Sequence, residues 1–229
     1  MPMDDMKHAY SSTARIALVF DVAIAIAEPI VWLMMASSRG VDALTATGLI
    51  SLKYFTVLSN LLLGAASLVY AVYMVRYLRG GHLVPQWAHR LKFAATVAVT
   101  VTLMTVLLFL GPTMGYAAMF AGVNLWLHLV LPVLGIAEFV FFDIQRDLSF
   151  KESLFGVAPV VLYGVFYVGN ILINGVGVRP LTNDWYGFTM FGMQLLPVVL
   201  LMMVIATWVF AIALRAGNTA VRKYRTGQR

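Results

Sequence analysis

Residues 53–75, KYFTVLSNLLLGAASLVYAVYMV, start with polar side chains and continue as a long apolar run. Thr56, Ser59 and Asn60 are spaced i, i+3 and i+4, so in a helix they lie on one face. The apolar run is long enough to cross a bilayer, which takes roughly 20 mostly apolar residues. The stretch therefore predicts a transmembrane helix with a polar patch near its first turn.

The composition places the whole chain in a membrane. Of the 229 residues, 61% are hydrophobic and 11% are charged, whereas a soluble domain is about half apolar and about a quarter charged. The absence of cysteine excludes disulfides, thiolate nucleophiles and cysteine-ligated metals. The net charge of +6 fits cytoplasmic loops that face anionic lipid, so the predicted partner is the bilayer and not nucleic acid.

Five further segments have the length and hydropathy of the first. The sequence predicts an all-α polytopic membrane protein, because open strands cannot cross lipid and the alternation typical of barrel strands is absent. The connections are short, so residues 1–229 are predicted to form a single six-helix domain. The predicted spans are residues 14–37, 52–76, 93–110, 118–142, 154–174 and 187–214.

The distribution of basic residues predicts the orientation. With both termini in the cytoplasm, only Arg39, Lys53 and Arg179 of the 16 basic residues remain outside, in agreement with the positive-inside rule. The second helix then runs inwards from Thr56. The same orientation predicts a basic, lipid-facing cytoplasmic loop that contains Arg76, Arg79, Arg90 and Lys92.

Polar side chains recur at similar depth, in the outer half, on every predicted helix except the third. Polar groups in lipid are costly unless they face the bundle interior and find partners. We therefore predict one shared pocket that opens towards the outer leaflet, with Arg179 and Asp184 either capping its mouth or pairing with each other. Its candidate residues are Glu28, Thr56, Ser59, Asn60, Asn124, His128, Asn170, Asn174 and Gln194.

His128 is the only histidine within a predicted span, and ionisable residues there are candidates for function. Pro132 cannot donate to the His128 carbonyl, so the helix is predicted to be distorted there. Thr56 enters from the same face of the membrane, and a hydroxyl beside a base can act as a nucleophile. One histidine and one glutamate are too few for a metal site, so neither a metal nor a cofactor is predicted.

The same residues allow two other interpretations. A threonine in a membrane helix usually bonds to the carbonyl four residues earlier, and serine and asparagine often join helices. The polar face of the second helix would then be a seam in an assembly or regulatory subunit. The other interpretation is a small transporter, channel or lipid-binding protein, with Asp21, Glu28 and His128 as proton or ligand sites.

The motifs KYFT at 53–56, SN at 59–60 and H-x-x-x-P at 128–132, with Glu138 later on the same helix, resemble the androgen-induced-protein family. This family includes the androgen-dependent regulator of tissue factor pathway inhibitor. The resemblance covers the six-helix layout, and the two residues after the threonine resemble the bacterial branch. It implies an intramembrane threonine hydrolase of fatty acid esters of hydroxy fatty acids, located in a bacterial plasma membrane.

The resemblance implies a role for each of two residues: Thr56 is the nucleophile and His128 is the base. Ser59, Asn60, Asn124 and Asn174 are then candidate donors to the oxyanion. Glu28 or Asn124 is predicted to orient the His128 ring. Asn170 and Gln194 complete the predicted substrate pocket, which a membrane lipid ester enters from the outer leaflet.

Overall fold

The computed structural model describes residues 3–37, 47–178, 182–190 and 192–226. Within these ranges the regular structure is helical and contains no strand, which confirms the all-α class. Six helices are long and apolar enough to cross a membrane. Arg39 and Arg179, two of the three basic residues predicted for the outer side, lie outside the described residues.

Consecutive helices joined by short connections run antiparallel. Spans 2, 4 and 6 begin at one end of the bundle, here named the Thr56 end, and spans 3 and 5 begin at the opposite end, named the Lys92 end. Span 3 starts earlier than predicted and span 6 starts later. Spans 1 to 6 are Ser12–Ser37, Phe55–Gly80, Gln86–Met114, Val123–Phe141, Lys151–Asn174 and Met193–Arg225.

Span 3 is the most deeply buried of the six. Its first half is rich in alanine, valine and threonine, and such small side chains let neighbouring helices approach closely. Ala95 and Val99 belong to one buried cluster with Leu63 of span 2. Phe93 packs on Phe139 of span 4, with ring centroids 5.5 Å apart. Span 3 therefore forms the centre around which the other spans pack.

Two π-helical turns interrupt the spans at the Thr56 end. Val106–Leu110 lies near the end of span 3, and Trp126–Val130 lies near the start of span 4. The distortion predicted at Pro132 takes the form of the second turn, because proline has no N–H with which to continue an α-helical pattern. Such turns are rare and frequently occur at functional sites. The second one contains His128.

Candidate functional site

A cavity of about 530 Å³ lies between spans 2, 3, 5 and 6 at the Thr56 end. This volume is within the range of about 300–1,000 Å³ that is typical of ligand sites. Its walls are mainly valine, leucine and phenylalanine side chains. We name it the Thr56 cavity, and its hydroxyl-bearing lining residues are Thr56, Thr102, Thr105, Tyr163, Tyr167 and Tyr186.

Thr56 is the second residue of the helix Phe55–Gly80, so the residue four positions earlier precedes the helix. The usual bond from a threonine hydroxyl to the carbonyl of that earlier residue is not made here. The Thr56 hydroxyl has no hydrogen-bond partner among the described residues, and the half-buried side chain lines the cavity. Thr56 therefore offers an uncommitted hydroxyl to whatever occupies the cavity.

Ser59 and Asn60 join helices instead of serving the cavity as donors. Ser59 Oγ donates to the Thr56 carbonyl at 3.0 Å and pairs with Thr102 Oγ1 of span 3 at 2.9 Å. Asn60 Nδ2 donates to the Thr56 carbonyl at 2.7 Å and to the Leu127 carbonyl of span 4 at 3.0 Å. Their predicted role as oxyanion donors is wrong, because both side chains are already committed to these partners.

His128 is 6% exposed and lies in the π turn Trp126–Val130. Its Nδ1 is 2.8 Å from the Met119 carbonyl oxygen. A carbonyl only accepts, so this contact assigns the proton to Nδ1 and leaves Nε2 as an acceptor. The prediction that Glu28 or Asn124 orients the ring is wrong, because the Met119 carbonyl does so. An unprotonated Nε2 is the form that a general base requires.

The structure brings the regions of Thr56 and His128 together without joining the two side chains. Asn60 Nδ2 binds the carbonyls of both Thr56 and Leu127, the residue before His128. The Asn60 side chain therefore links the first turns of span 2 to the π turn of span 4. No hydrogen bond links the Thr56 hydroxyl to the His128 ring among the described side chains, and His128 is not one of the described residues that line the cavity.

The shared polar pocket predicted from spans 1, 2, 4, 5 and 6 is not formed. Asn174 Nδ2 donates to Asn170 Oδ1 at 2.9 Å, so these two residues satisfy each other on span 5. Gln194 is exposed in the first turn of span 6. Glu28 and Asn124 are buried, but they are not among the described lining residues either. Span 3, which was predicted to contribute nothing here, supplies two of the hydroxyl groups.

Residues 182–190, here named the Asp184 loop, close the cavity at the Thr56 end. The buried Asp184 carboxylate accepts hydrogen bonds from the Tyr167 hydroxyl, from the Phe188 N–H at 2.8 Å and from the Thr189 N–H at 2.9 Å. Tyr186 and Phe188 line the cavity, and the Tyr186 hydroxyl accepts from the Phe55 N–H at 2.8 Å. Asp184 thus positions part of the cavity wall through these bonds. Arg179, which was predicted to cap the pocket mouth with Asp184 or to pair with it, lies outside the described residues.

We expect the Asp184 loop to loosen in acid. Burial favours a higher pKa for Asp184, but hydrogen bonds from Thr189 and Tyr167 outweigh it and hold the pKa below its usual value. The carboxylate therefore stabilises the loop fully above about pH 4, which is near the pKa of aspartate in an unfolded chain. This stabilisation is lost as the pH falls through the lower pKa that Asp184 has in the folded protein. Hydrogen exchange of the Phe188 and Thr189 amides, corrected for the intrinsic rate, measures this loss.

The variant Asp184→Asn tests the same bonds at neutral pH. Losing about 1.5 kcal/mol from one bond to a charged acceptor corresponds to roughly tenfold faster exchange of both amides, without the acid dependence. Asp147→Asn, at the Lys92 end, is the control and should leave these amides unchanged. Wild-type exchange rates in Asp184→Asn would show that the carboxylate does not hold the loop.

The sequence did not reveal a buried group of charges at the Lys92 end, here named the Lys92 cluster. Its members, Asp21, Lys92, Glu138 and Asp143, are each 0% exposed. Lys92 Nζ contacts Asp21 Oδ1, Glu138 Oε2 at 2.8 Å and Ser67 Oγ at 2.7 Å. The prediction of a lipid-facing loop is wrong for Lys92, because span 3 begins at Gln86 and carries Lys92 inside. Asp21 and Glu138, which lie within predicted spans, were the available signal, because buried charges need partners.

Comparison of the chain with protein-family models, with curated proteins and with solved structures found no match. The family resemblance of the motifs around Thr56 and His128 thus stays a prediction. What the geometry shows is an integral membrane bundle with an apolar cavity at one end and a buried charge cluster at the other.

Proposed function

We propose that this protein is an intramembrane hydrolase of lipid esters, with Thr56 as nucleophile and His128 as general base. The observation that carries the proposal is the uncommitted Thr56 hydroxyl on the wall of an apolar cavity. Apolar walls suit an acyl chain, because the chain has no polar group to satisfy. The substrate class is the fatty acid ester of a hydroxy fatty acid, and the location is the bacterial plasma membrane, as the motif resemblance implies.

Access for a lipid is proposed between spans 2 and 5. A second cavity of about 340 Å³ lies there, and it shares Phe55 and Tyr163 with the Thr56 cavity. The two rings meet edge to face, with centroids 5.1 Å apart. Leu162 and Phe166 also line the second cavity, and their side chains are 71% and 53% exposed on the surface of the bundle that faces away from its core. Rotation of the two shared rings would join the cavities and admit an acyl chain from the bilayer.

The proposed reaction starts with attack of Thr56 Oγ1 on the ester carbonyl carbon. His128 Nε2 takes the hydroxyl proton and then gives it to the departing alkoxide as the ester C–O bond breaks. Water hydrolyses the resulting acyl-threonine in the second half of the cycle. Bases often reach bonding distance only in the substrate complex, so the proposal requires Nε2 to come within about 3 Å of Oγ1 there.

The proposed oxyanion donor is the backbone N–H of Thr56. The first amides of a helix lack partners within the helix, and they can stabilise negative charge that develops on a substrate. Val57 and Leu58 donate their N–H groups to the Tyr54 carbonyl, and Phe55 donates to the Tyr186 hydroxyl. The Thr56 N–H, which has no such partner among the described residues, stays available beside the nucleophile.

A fluorophosphonate probe tests the nucleophile directly. We expect it to label the purified wild-type protein at Thr56, as located by peptide mass spectrometry, and not to label Thr56→Ala. Thr113→Ala is the matched control at the same end of the bundle, because the Thr113 hydroxyl bonds back to the Phe109 carbonyl at 2.7 Å. Labelling of Thr56→Ala at the wild-type rate would place the nucleophile elsewhere.

A small transporter is the second candidate, and Glu28 is the observation that favours it. The residue is 0% exposed, and neither carboxylate oxygen has a hydrogen-bond partner among the described residues. An unpaired carboxyl group within a span is a typical proton site. Glu28→Gln would abolish proton-coupled flux into proteoliposomes if the protein is a transporter, and would leave ester hydrolysis intact if it is a hydrolase.

A further inference from the structure

The carboxylates of the Lys92 cluster outnumber its cations. Three carboxylates, Asp21, Glu138 and Asp143, meet one ammonium group, Lys92, and all four side chains are fully buried. In their ionised forms they leave two negative charges uncompensated. Burying a charge without a partner costs several kcal/mol, so these carboxyl groups either take up protons or share a further cation.

Lys92 is engaged on three sides. Its ammonium group donates hydrogen bonds to Asp21 Oδ1 and to Ser67 Oγ, and it forms an ion pair with Glu138 Oε2 at 2.8 Å. Asp21 Oδ2, both oxygens of Glu138 and both oxygens of Asp143 have no hydrogen-bond partner among the described residues. Each of the three carboxylates therefore keeps at least one oxygen that Lys92 does not bind.

The three carboxylates lie close together. One carboxylate oxygen from each of Asp21, Glu138 and Asp143 lies within 4.8 Å of those of the other two. Oxygens that share one cation at about 2.1–2.5 Å can be no further apart than about twice that distance. Asp143 is fully buried and belongs to no ion pair among the described residues. Its carboxyl group lies beside Glu138 and the Tyr70 hydroxyl, but neither of its oxygens meets a donor in hydrogen-bond geometry.

We infer that the Lys92 cluster binds one hard divalent cation, of the Mg²⁺, Mn²⁺ or Ca²⁺ class, through Asp21, Glu138 and Asp143. An all-oxygen ligand set selects these ions over zinc or copper. One double positive charge balances the two uncompensated negative charges. Asp21 and Glu138 bridge the ion and Lys92, and the ion thereby joins spans 1, 3 and 4.

Asp143 lies just beyond the end of span 4. It stands two residues after Phe141, the last residue of the helix Leu131–Phe141, and it precedes the turn that starts span 5 at Lys151. It therefore lies at the boundary of the membrane-spanning region, at the Lys92 end. Neither Arg146 nor Arg222 forms an ion pair with Asp143 among the described residues: Arg146 donates to the Val84 carbonyl and Arg222 pairs with Asp147.

Mn²⁺ binding to the purified full chain in detergent tests the inference, with electron paramagnetic resonance measuring free Mn²⁺. We expect saturable binding of one Mn²⁺ per wild-type chain, displaced by Mg²⁺ or Ca²⁺. Asp143→Asn should weaken binding by at least about tenfold, which is typical of losing a group that holds the metal site. Asp147→Asn is the control, because its carboxylate is in the same loop, partly exposed and paired with Arg222, and it should bind Mn²⁺ as wild type does.

Two outcomes would overturn the inference. One is the lack of saturable Mn²⁺ binding by the wild-type protein up to millimolar Mn²⁺, since the carboxyl groups would then be neutralised by protons. The other is wild-type affinity in Asp143→Asn. If Asp143→Asn does not fold, Glu138→Gln takes its place, and the wild-type stoichiometry decides without any variant.

Discussion

Replacing Lys92 with methionine is expected to lower the free energy of unfolding by about 3–5 kcal/mol, the usual effect of removing one partner from a buried ion pair. Methionine has a similar length and fits the same space, so the change removes the charge and its donors with little change of volume. Asp21 and Glu138, both 0% exposed, then lose the cation that each contacts. Ser67 also loses the donor to its hydroxyl.

Unfolding by denaturant in detergent, with a metal chelator present, measures this effect. Lys151→Met is the matched control, because Lys151 is an exposed lysine at the same end of the bundle, and we expect a change within about 0.5 kcal/mol. The double variant Lys92→Met/Asp21→Asn should be less destabilised than the sum of the two single variants, because the residues are in contact. A loss below about 1 kcal/mol for Lys92→Met would contradict a buried, paired ammonium.

Thr56→Ala is expected to lower lipid-ester turnover by roughly a thousandfold or more, as loss of a nucleophile does in hydrolases. Thr56→Ser keeps the hydroxyl and should retain most of that turnover. His128→Ala should lose about a hundredfold to ten-thousandfold, the usual contribution of a general base. The Thr56 and His128 variants should be strongly non-additive, because the two residues act as one unit.

Turnover is measured with purified protein against a panel of lipid esters in mixed micelles, and the folded state of each variant is checked by its unfolding curve. Thr113→Ala is again the control and should retain wild-type turnover. Wild-type turnover in either Thr56→Ala or His128→Ala would refute the assignment of that residue. Equal loss in Thr56→Ser and Thr56→Ala, with both proteins folded, would show that the cavity needs the threonine methyl group and not its hydroxyl.

The layout of the bundle could be predicted from the sequence, because a span is an almost local property of length and hydropathy. Two of the boundaries that differ, the starts of spans 3 and 6, have non-local causes. Span 3 begins at Gln86 because Lys92 finds carboxylates on two other spans. Span 6 begins at Met193 because residues 182–190 are held in a loop by the Asp184 carboxylate, although their aromatic side chains resemble the start of a span.

The candidate site could be predicted only in part. The sequence predicted that Thr56 lies near the first turn of a helix. Its hydroxyl is uncommitted because of that position, since the residue four positions earlier precedes the helix. Which polar side chains face one another depends on helix rotation, which a single sequence does not define. Ser59 and Asn60 turned out to join helices, Asn170 and Asn174 pair locally, and span 3 supplies the cavity with two hydroxyl groups.

The π turn Trp126–Val130 contains one residue more than an α-helical turn would hold. Each residue advances an α-helix by about 100°. The extra residue in the turn therefore rotates the side chains of Val123–Leu125 relative to those of Leu131–Phe141. A deletion of one residue within the turn would rotate Val123–Leu125 by about that angle relative to Leu131–Phe141. The direction of the His128 ring therefore depends on the number of residues in this turn as well as on the bond to the Met119 carbonyl.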